Sequence, residues 1–238
     1  MWLRRLSEFV SPTSDELEAI EEVKLTRREF RRNQSICRQG VPVKEVYFIL
    51  DGWVGGSLEV NFGRKQLAKL YLPGDFAGLP SIALTHTAEG LVAITNVELD
   101  VVPLDRLARL FQRAPRFGLM LFVTSQQERV MLMDQLAAVG QSSAIQRVTA
   151  LVVHVYRRLS VLCPEGGDVI DWPISQQRIA QGAGLSAIHV NRTFRELIRR
   201  GLIAREGKRM RIVDLERLVD LAGMPERPTV KEPRWLAS

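Results

Sequence analysis

The sequence predicts an α+β protein that consists of an N-terminal β-roll, one long helix and a C-terminal module of short helices and a hairpin. Short apolar or alternating segments fill residues 35–103 and are separated by Gly, Pro, Asn and Asp, as in small all-β units. A helical pattern without an internal Pro then runs from Pro115 to about Val139. Finally, two capped helical segments and a Gly-centred hairpin follow one another between Pro173 and Val213.

Composition and charge limit the class of protein. The 238 residues are enough for about two domains, each able to bury a core. An apolar fraction of 46% with 25% charged residues is typical of a globular chain, and the net charge of +6 permits nucleic-acid binding without establishing it. No apolar run reaches about 18 residues and the first residues lack a signal-peptide core, so we expect a cytoplasmic protein without a membrane segment.

The sequence offers no constellation of catalytic or metal-binding residues. Its two cysteines, Cys37 and Cys163, lie far apart without a CxxC spacing, which excludes a four-thiolate iron–sulfur or zinc site within one chain. A buried or idle thiol is the favoured interpretation of each, with redox sensing as the alternative. Because no nucleophile–base pair, phosphate-binding Gly loop or pair of carboxylates stands out either, we expect no enzymatic activity, no metal and no cofactor.

The predicted roll is preceded by a short helix that begins with a capping box formed by Thr13 and Glu16. Asp51-Gly52 and Phe62-Gly63 supply turns between strands, and Ser81–Leu84 is predicted as a helical turn that faces the inside of the roll. A helix over Leu104–Phe111 follows. The predicted strands are Ser35–Cys37, Val46–Leu50, Gly55–Val60, Gln66–Leu72, Leu91–Thr95 and Glu98–Pro103.

The long helix carries more apolar surface than one contact requires. Part of this surface is expected to cover the roll and the rest to meet a second copy of the chain. The alternative is a core helix that lies wholly within one chain. The predicted seam consists of Leu119, Phe122, Met133 and Leu136, flanked by Met120, Val123, Val130 and Ala137.

The C-terminal module begins with a helix over Ala144–Leu162, capped by Ser142 or Ser143, and continues with a strand over Val169–Trp172. Ser175 caps a helix over Gln176–Gln181, and Ser186 caps a second helix over Ala187–Arg200 after a Gly-bounded turn. Steps of about 100° per residue place two sets of side chains on opposite faces of the second helix. The core set is Val190, Phe194, Leu197 and Ile198, and the outer set is Ile188, Arg192, Arg195 and Arg199.

A hairpin centred on Gly207 follows, with Lys208 and Arg209 at its tip. Helix, turn, helix and basic hairpin form a winged helix-turn-helix, which lays its second helix in the major groove of DNA. A row of arginines by itself indicates only a solvated helix, but the caps, turn and hairpin occur in the order that one module needs. A last helix is predicted over Leu215–Leu221. We predict a roll domain at 1–112, the long helix at 113–140, the DNA-binding domain at 141–224 and a flexible tail at 225–238.

In this order the elements resemble the cyclic-AMP receptor protein / fumarate-nitrate regulator (Crp/Fnr) family of bacterial transcription factors, over about Leu17 to Leu221. The resemblance implies a roll like a cyclic-nucleotide-binding domain that senses a small signal, and a homodimer joined along its long helices. It also implies a palindromic operator with half-sites roughly 34 Å apart and an effect on RNA polymerase. The motifs that carry it are Pro73-Gly-Asp-Phe76 with Gly78, Ile179-Ala180, Gly184-Leu-Ser186, Val190-x-Arg192 and Gly201-Leu-Ile203.

The chain departs from the cyclic-nucleotide-binding members at each of their ligand contacts. The Glu that follows the loop glycine in those members is replaced here, after Gly78, by Leu79. Their phosphate-binding Arg-Ser pair falls on Thr87-Ala88, and the Thr-Ser pair on the long helix falls on Leu132-Met133. Because a buried phosphate without these partners loses charge-assisted hydrogen bonds, we predict a degenerate pocket that does not bind cyclic AMP.

The sensors of two other branches of the family are missing as well. The iron–sulfur members need a cysteine cluster near the N-terminus, where this chain has only Cys37, and the haem members need a placed histidine, for which His86 is the one candidate in the roll. An apolar pocket, a different ligand and no ligand remain open, so the effector is unknown.

In the second helix, Arg192 matches the family's base-reading Arg, whose fork suits N7 and O6 of guanine. Ile188 replaces a Glu and is expected to contact a thymine methyl, while His189 and Asn191 are expected to make polar base contacts, with a merely solvent-facing His189 as the alternative. The expected phosphate contacts are Ser175, Gln176, Arg195, Arg199, Lys208 and Arg209.

Two functions compete at this point. The first is a homodimeric regulator that reads a palindromic operator in double-stranded DNA. The alternative is a ligand-sensing roll that acts through protein partners while its DNA domain is non-functional. Strong, salt-dependent binding to random duplex DNA would count against the alternative.

Overall fold

The computed structural model describes residues 12–23, 25–60, 64–162 and 167–225, together with residues 227 and 230. The chain divides into two compact units, one within the residues up to Arg129 and one comprising Val130–Arg227. The division falls inside the long helix, and the predicted domain boundaries stay predictions. No helix in the described ranges is long and apolar enough to cross a membrane.

The first unit begins with helix α1, Ser14–Glu22, and its predicted capping box is confirmed. Thr13 Oγ1 accepts a hydrogen bond from the Glu16 amide at 3.3 Å, and the Glu16 carboxylate accepts one from the Thr13 amide at 2.7 Å. This reciprocal pair satisfies amide donors that would otherwise have no partner at the start of a helix. The predicted turn at Phe62-Gly63 lies outside the described residues.

The strands of the roll are β1 Thr26–Phe30, β2 Ser35–Cys37, β3 Glu45–Asp51, β4 Val54–Val60, β5 Arg64–Tyr71, β6 Phe76–Ala77, β7 Gly90–Ala93 and β8 Val97–Pro103. They form two antiparallel sheets, in the strand orders β1-β8-β3-β6 and β2-β7-β4-β5. A short 3₁₀ turn, Leu79–Ser81, follows β6. The predicted roll is therefore confirmed, and most predicted strands are found within one or two residues of their expected ends.

Three details of the roll differ from the prediction. Strand β1 was missed, because Thr26–Phe30 is almost entirely exposed and owes its structure to pairing with β8. Strand β6 was missed because it has only the residues Phe76 and Ala77, which pair with β3. The helical turn lies two residues earlier than predicted, and it does not point inward as a whole: Ser81 is buried, whereas Ile82 is 44% and Leu84 50% exposed.

After the roll, helix α2 spans Leu104–Arg113 and helix α3 spans Pro115–Gln141. The first turns of α3 pack onto one sheet, where Phe117 and Met120 join Phe48 and Phe76 in a buried cluster. The side chains of the predicted seam lie on the other face, with exposures of 40% for Leu119, 56% for Phe122, 60% for Met133 and 76% for Leu136. A helix wholly internal to one chain does not agree with these exposures. The side chain of Ala137 lies outside the described residues.

The second unit continues with helix α4, Ala144–Leu162, whose bounds agree with the prediction. Ser143 caps it through a hydrogen bond from the Gln146 amide to its Oγ. Helix α4 packs against the later helices of the unit, and its Val148, Val152 and Val155 are fully buried. After α4 the unit contains the strands β9 Val169–Asp171, β10 Ile203–Glu206 and β11 Arg209–Ile212 and the helices α5 Gln176–Ala183, α6 Ala187–Arg199 and α7 Leu215–Ala222.

One predicted core residue of α6 is misplaced. Val190, Phe194 and Leu197 are buried, but Ile198 is 44% exposed. At about 100° per residue, Ile198 is rotated about 80° from Val190 around the helix axis, which puts it at the edge of the apolar face. Thr193 falls within this face and is buried. The buried face of α6 is thus centred slightly to one side of the predicted one.

Candidate nucleic-acid interface

The two helices of the candidate interface are held at a fixed turn by their caps. Ser175 Oγ accepts a hydrogen bond from the Arg178 amide at 3.3 Å and begins α5. Gly184 ends it with φ +62°, a left-handed conformation that suits glycine. Ser186 Oγ then accepts from the His189 amide at 3.3 Å and begins α6. The predicted helix–turn–helix is therefore present, with each predicted cap in place.

The outer face of α6 is open to solvent. Ile188 is 68% exposed, and Arg192, Arg195 and Arg199 are exposed beside it. These residues lie opposite Val190, which is fully buried. The helix thus combines one face that fixes its position with another that presents an apolar side chain among arginines, which suits contacts to both base edges and phosphates.

Asn191 lies at the border between these two faces and is half-buried. Its amide nitrogen donates a hydrogen bond to Gln176 Oε1 on α5 at 3.0 Å. This bond joins the first turn of α5 to the middle of α6. Asn191 consequently keeps its amide oxygen, an acceptor, and its second amide N–H, a donor, for contact with another group.

His189 is exposed on the other border of the outer face. Its Nδ1 lies 3.0 Å from Ser186 Oγ, so the cap residue of the helix also fixes the orientation of the imidazole ring. The second ring nitrogen, Nε2, lies on the far side of the ring from this contact.

Glu196 organises the arginines at the end of α6, a role that the sequence reasoning missed. Its carboxylate accepts two hydrogen bonds from Arg199, at 2.8 and 2.7 Å, and one from Arg200 at 2.7 Å. These hydrogen bonds lower the pKa of Glu196 to about 2. The i,i+3 and i,i+4 spacing of a Glu and two Arg on one helix was the signal that could have revealed it.

The hairpin supplies the basic tip that the sequence predicts. Gly207 adopts φ +60° between β10 and β11, and the side chains of Lys208 and Arg209 are exposed next to it. The hairpin is joined to the core, since the Trp172 amide donates to the Lys208 carbonyl at 2.6 Å and the Trp172 ring meets Phe194 edge-on at 6.1 Å. The positions of the two basic residues are therefore fixed relative to α6.

The predicted pocket residues of the roll take part in its own structure. Gly78 adopts φ +88° ahead of the 3₁₀ turn, and Leu79 packs against the apolar cluster under β3. Thr87 Oγ1 donates to the Arg38 carbonyl at 2.7 Å, and the Ala88 amide donates to Ser81 Oγ at 3.0 Å. Leu132 and Met133 belong to the second unit and are 52% and 60% exposed.

Within the part of the chain that the structure describes, the residues considered for cofactors do not form a cluster of metal ligands. Among the described residues, no group of three or more His, Cys, Asp and Glu side chains could hold a metal ion. His86 is exposed on the roll, with its Nδ1 3.0 Å from Thr85 Oγ1. Burial raises the pKa of the half-buried Cys37 thiol, which disfavours the reactive thiolate. Cys163 lies outside the described residues.

Comparison with known families matches both parts of the chain. Residues 27–114 match the cyclic nucleotide-binding domain, and residues 146–221 match the Crp-like helix-turn-helix domain. Together the two matches span most of the chain and flank the long helix.

Individual relatives align over nearly the whole length. The transcriptional regulatory protein btr of Bordetella pertussis is 25% identical over 214 residues, which cover 90% of this chain and 88% of that protein. The transcriptional activator protein FnrL of Cereibacter sphaeroides is 27% identical over 214 residues, which cover 88% of this chain and 85% of that protein. The solved structure of FixK2 from Bradyrhizobium japonicum matches with a TM-score of 0.76 at 22% identity, over 85% of this chain and 99% of that one, and shares the fold.

A roll of the cyclic-nucleotide-binding type, a long helix and a helix-turn-helix with an exposed basic face define a DNA-binding transcription regulator. The chain belongs to the Crp/Fnr family of such regulators. Its relatives are transcription regulators and not enzymes.

Proposed function

We propose that the protein regulates transcription in the bacterial cytoplasm as a homodimer that binds a palindromic operator and does not respond to cyclic AMP. The observation that carries this proposal is the outer face of α6, where Ile188, Arg192 and Arg195 stand exposed on a helix whose opposite face is fully buried. This face sets an isoleucine that is 68% exposed among arginines, a combination that suits contacts with both a thymine methyl group and the polar edges of bases.

Base recognition is assigned to the first two turns of α6. Arg192 donates two hydrogen bonds to N7 and O6 of a guanine, and Ile188 contacts the methyl group of a thymine. Asn191 and His189, at the two borders of the exposed face, add polar contacts to neighbouring bases. The hydrogen bond from Asn191 to Gln176 supports this assignment, because it orients the side chain before DNA is bound.

Phosphate contacts surround the base-reading face. Ser175 and Gln176 at the N-terminus of α5, Arg195 on α6, and Lys208 and Arg209 on the hairpin are placed to hold the backbone on either side of the groove. Arg199 contributes once it exchanges its bond to Glu196 for a phosphate oxygen. These contacts position the module and carry no sequence information.

The homodimer is proposed to form along α3. Leu119, Phe122, Met133 and Leu136 form an exposed apolar row on this helix, together with Leu132. Exposed apolar surface of this extent costs about 25 cal/mol per Å² until it is covered. A second copy of the same helix covers it symmetrically, and two recognition helices then meet half-sites about one helical turn apart.

The absence of a cyclic-AMP response is proposed from the roll. Leu79 is engaged in apolar packing, and the Thr87 hydroxyl donates to a backbone carbonyl. Neither residue supplies the charge that a cyclic phosphate requires. The protein is thus proposed to reach RNA polymerase at its promoters without this nucleotide, in line with relatives that are named transcriptional activators.

Selection of operator-length duplexes from random DNA by the purified protein, followed by sequencing, tests the proposal. We expect a palindrome with guanine and thymine at fixed positions in each half. Recovery of random sequences with salt-dependent affinity would contradict specific recognition, and the absence of any DNA binding would favour the alternative, a ligand-sensing roll that acts through protein partners.

A further inference from the structure

The interior of the roll holds a buried carboxylate whose importance the sequence reasoning missed. Glu89 comes directly before β7 and is 7% exposed. Its Oε1 accepts a hydrogen bond of 2.5 Å from the hydroxyl of Tyr71, a fully buried residue at the end of β5. The backbone of Gly78, in the loop before the 3₁₀ turn, acts on the same carboxylate and lowers its pKa. Two elements of the roll therefore stabilise the charge of one acidic group.

Strand β4 leaves room for this carboxylate at Gly56. A Cβ at this position would lie 2.2 Å from Glu89 Oε2 and 2.9 Å from Tyr71 Cε2. Any other residue at position 56 would have to displace the carboxylate. The space between β4, β5 and β7 is thus shaped around a carboxylate and depends on the glycine.

A cation lies on the same strand as Tyr71. Lys69 lies two residues before Tyr71, with its Nζ 4.4 Å from the centroid of the Tyr71 ring, and forms an ion pair with Glu128 of α3. Burial, and to a smaller extent the negative charge of Glu128, raise the pKa of Glu89, while the Tyr71 hydroxyl, Lys69 and the Gly78 backbone each act to lower that pKa. These groups are the ones that recognise a carboxylate in a binding site.

We infer that the interior of the roll is a carboxylate-binding site that the chain fills with its own Glu89. The Glu89 side chain acts as a covalently attached anionic ligand of this site. The Tyr71 hydroxyl donates a hydrogen bond to it, the Gly78 backbone stabilises its charge, and Gly56 leaves room for it. Lys69, which forms an ion pair with Glu128, links the site to the long helix. The site accepts a small monocarboxylate. In the intact protein the Glu89 side chain already occupies the site and therefore excludes external anions.

Chemical rescue of the full-length Glu89→Ala variant tests this inference. Without its ligand the variant leaves a buried tyrosine hydroxyl unpaired, and we expect its first thermal transition to fall by about 5 °C or more. Acetate should restore the transition in a concentration-dependent manner, as mass action requires, whereas acetamide and ionic-strength-matched chloride should not. If the variant folds only when acetate is present, the yield of folded protein at each acetate concentration replaces the melting temperature as the measure of acetate binding.

Two results would overturn the inference. One is a Glu89→Ala variant that melts like the wild type or stays unaffected by acetate. The other is equal rescue by acetate and acetamide, since the site would then not select an anion. Glu45→Ala is the matched control, because it removes another tyrosine-bound carboxylate of the roll, held by Tyr47 at 3.0 Å but with a side chain 28% exposed. Acetate should not change the melting of this control.

Gly56→Ala separates binding from a general effect of acetate on the fold. In the wild-type background its Cβ displaces the carboxylate and should lower the first transition. In the Glu89→Ala background the same substitution should cost less, because the oxygen it meets is gone, and it should abolish the response to acetate. Additive effects of the two substitutions, or a double variant that still responds to acetate, would contradict the inference.

Discussion

The side-chain amide of Asn191 donates a hydrogen bond to Gln176 Oε1 at 3.0 Å, and this bond joins the two helices of the DNA-binding module. It uses one donor of Asn191 before any DNA is present and orients the amide oxygen as an acceptor. In the major groove the complementary donors are N6 of adenine and N4 of cytosine. Gln176 is therefore expected to position a base-reading residue, in addition to any contact with phosphate.

Gln176→Ala is expected to relax the preference for one base pair of each half-site. Loss of the hydrogen bond should lower affinity for the selected operator by about 1 kcal/mol, roughly fivefold, and leave affinity for random duplex nearly unchanged. Titration of both duplexes with the variant measures this, with the exposed neighbour Gln177→Ala as control. An equal loss on both duplexes would mean that Gln176 acts only on the DNA backbone.

Arg192→Ala is expected to remove discrimination at one base position, at a cost of about 1 to 3 kcal/mol on the operator. Because the base contact is lost and the phosphate contacts remain, random DNA should be bound almost as before. Lys208→Ala is the matched comparison: it should weaken all sequences alike and lower the slope of log affinity against log salt by about one. Identical behaviour of the two variants would refute the separate roles.

Ile188 is expected to read a methyl group. Replacement of the contacted thymine by uracil removes one methyl group and should weaken wild-type binding by about 0.8 kcal/mol, close to fourfold. The Ile188→Ala variant should bind both duplexes equally. If the variant keeps the thymine preference, the methyl group is read by another residue.

Glu196 is expected to compete with DNA phosphates for Arg199 and Arg200, which both donate hydrogen bonds to its carboxylate. Since hydrogen bonds from Arg199 and then Arg200 lower its pKa to about 2, from an ordinary value of 4.5, this pairing contributes to stability above pH 4.5 and is lost as the pH falls toward 2. It is therefore intact throughout neutral pH. Glu196→Gln should raise affinity for random duplex at pH 7 and steepen its salt dependence by about one unit as an arginine reaches phosphate.

The control for that change is Glu216→Gln on α7, which removes the same charge from another helix of the module. An equal gain in the two variants would show that only net charge matters. A pH series on the wild type that extends below pH 4.5 checks the direction of the pKa shift independently, because a carboxylate with the ordinary pKa of 4.5 protonates there, whereas one with a pKa of about 2 keeps its charge and its arginine partners.

The parts of the fold that could be predicted from the sequence are those whose signals are local. The capped helix Ala144–Leu162, the strand Ser35–Cys37 and the hairpin at Gly207 each follow from a few adjacent residues, and each is found as predicted. Strand β1 could not be predicted in this way. Its charged residues become a strand because Arg27 pairs with Asp100 and Glu98 on β8, more than 70 residues further along the chain.

The same limit applies to the candidate sites. The order of caps, turn and arginines in the DNA-binding module could be recognised along the chain. The bonds that couple Asn191 to Gln176 and Tyr71 to Glu89 could not, because no spacing rule connects residues 15 and 18 positions apart on different elements. Both couplings depend on how the elements pack.

The number of chains bound to one selected duplex tests the central claim most directly. Sedimentation of the protein with a palindromic operator, at low ionic strength, should show two chains per duplex, and Phe122→Glu on the exposed face of α3 should reduce this to weak binding of single chains. A wild-type protein that sediments as a monomer and leaves every duplex unbound would contradict the account.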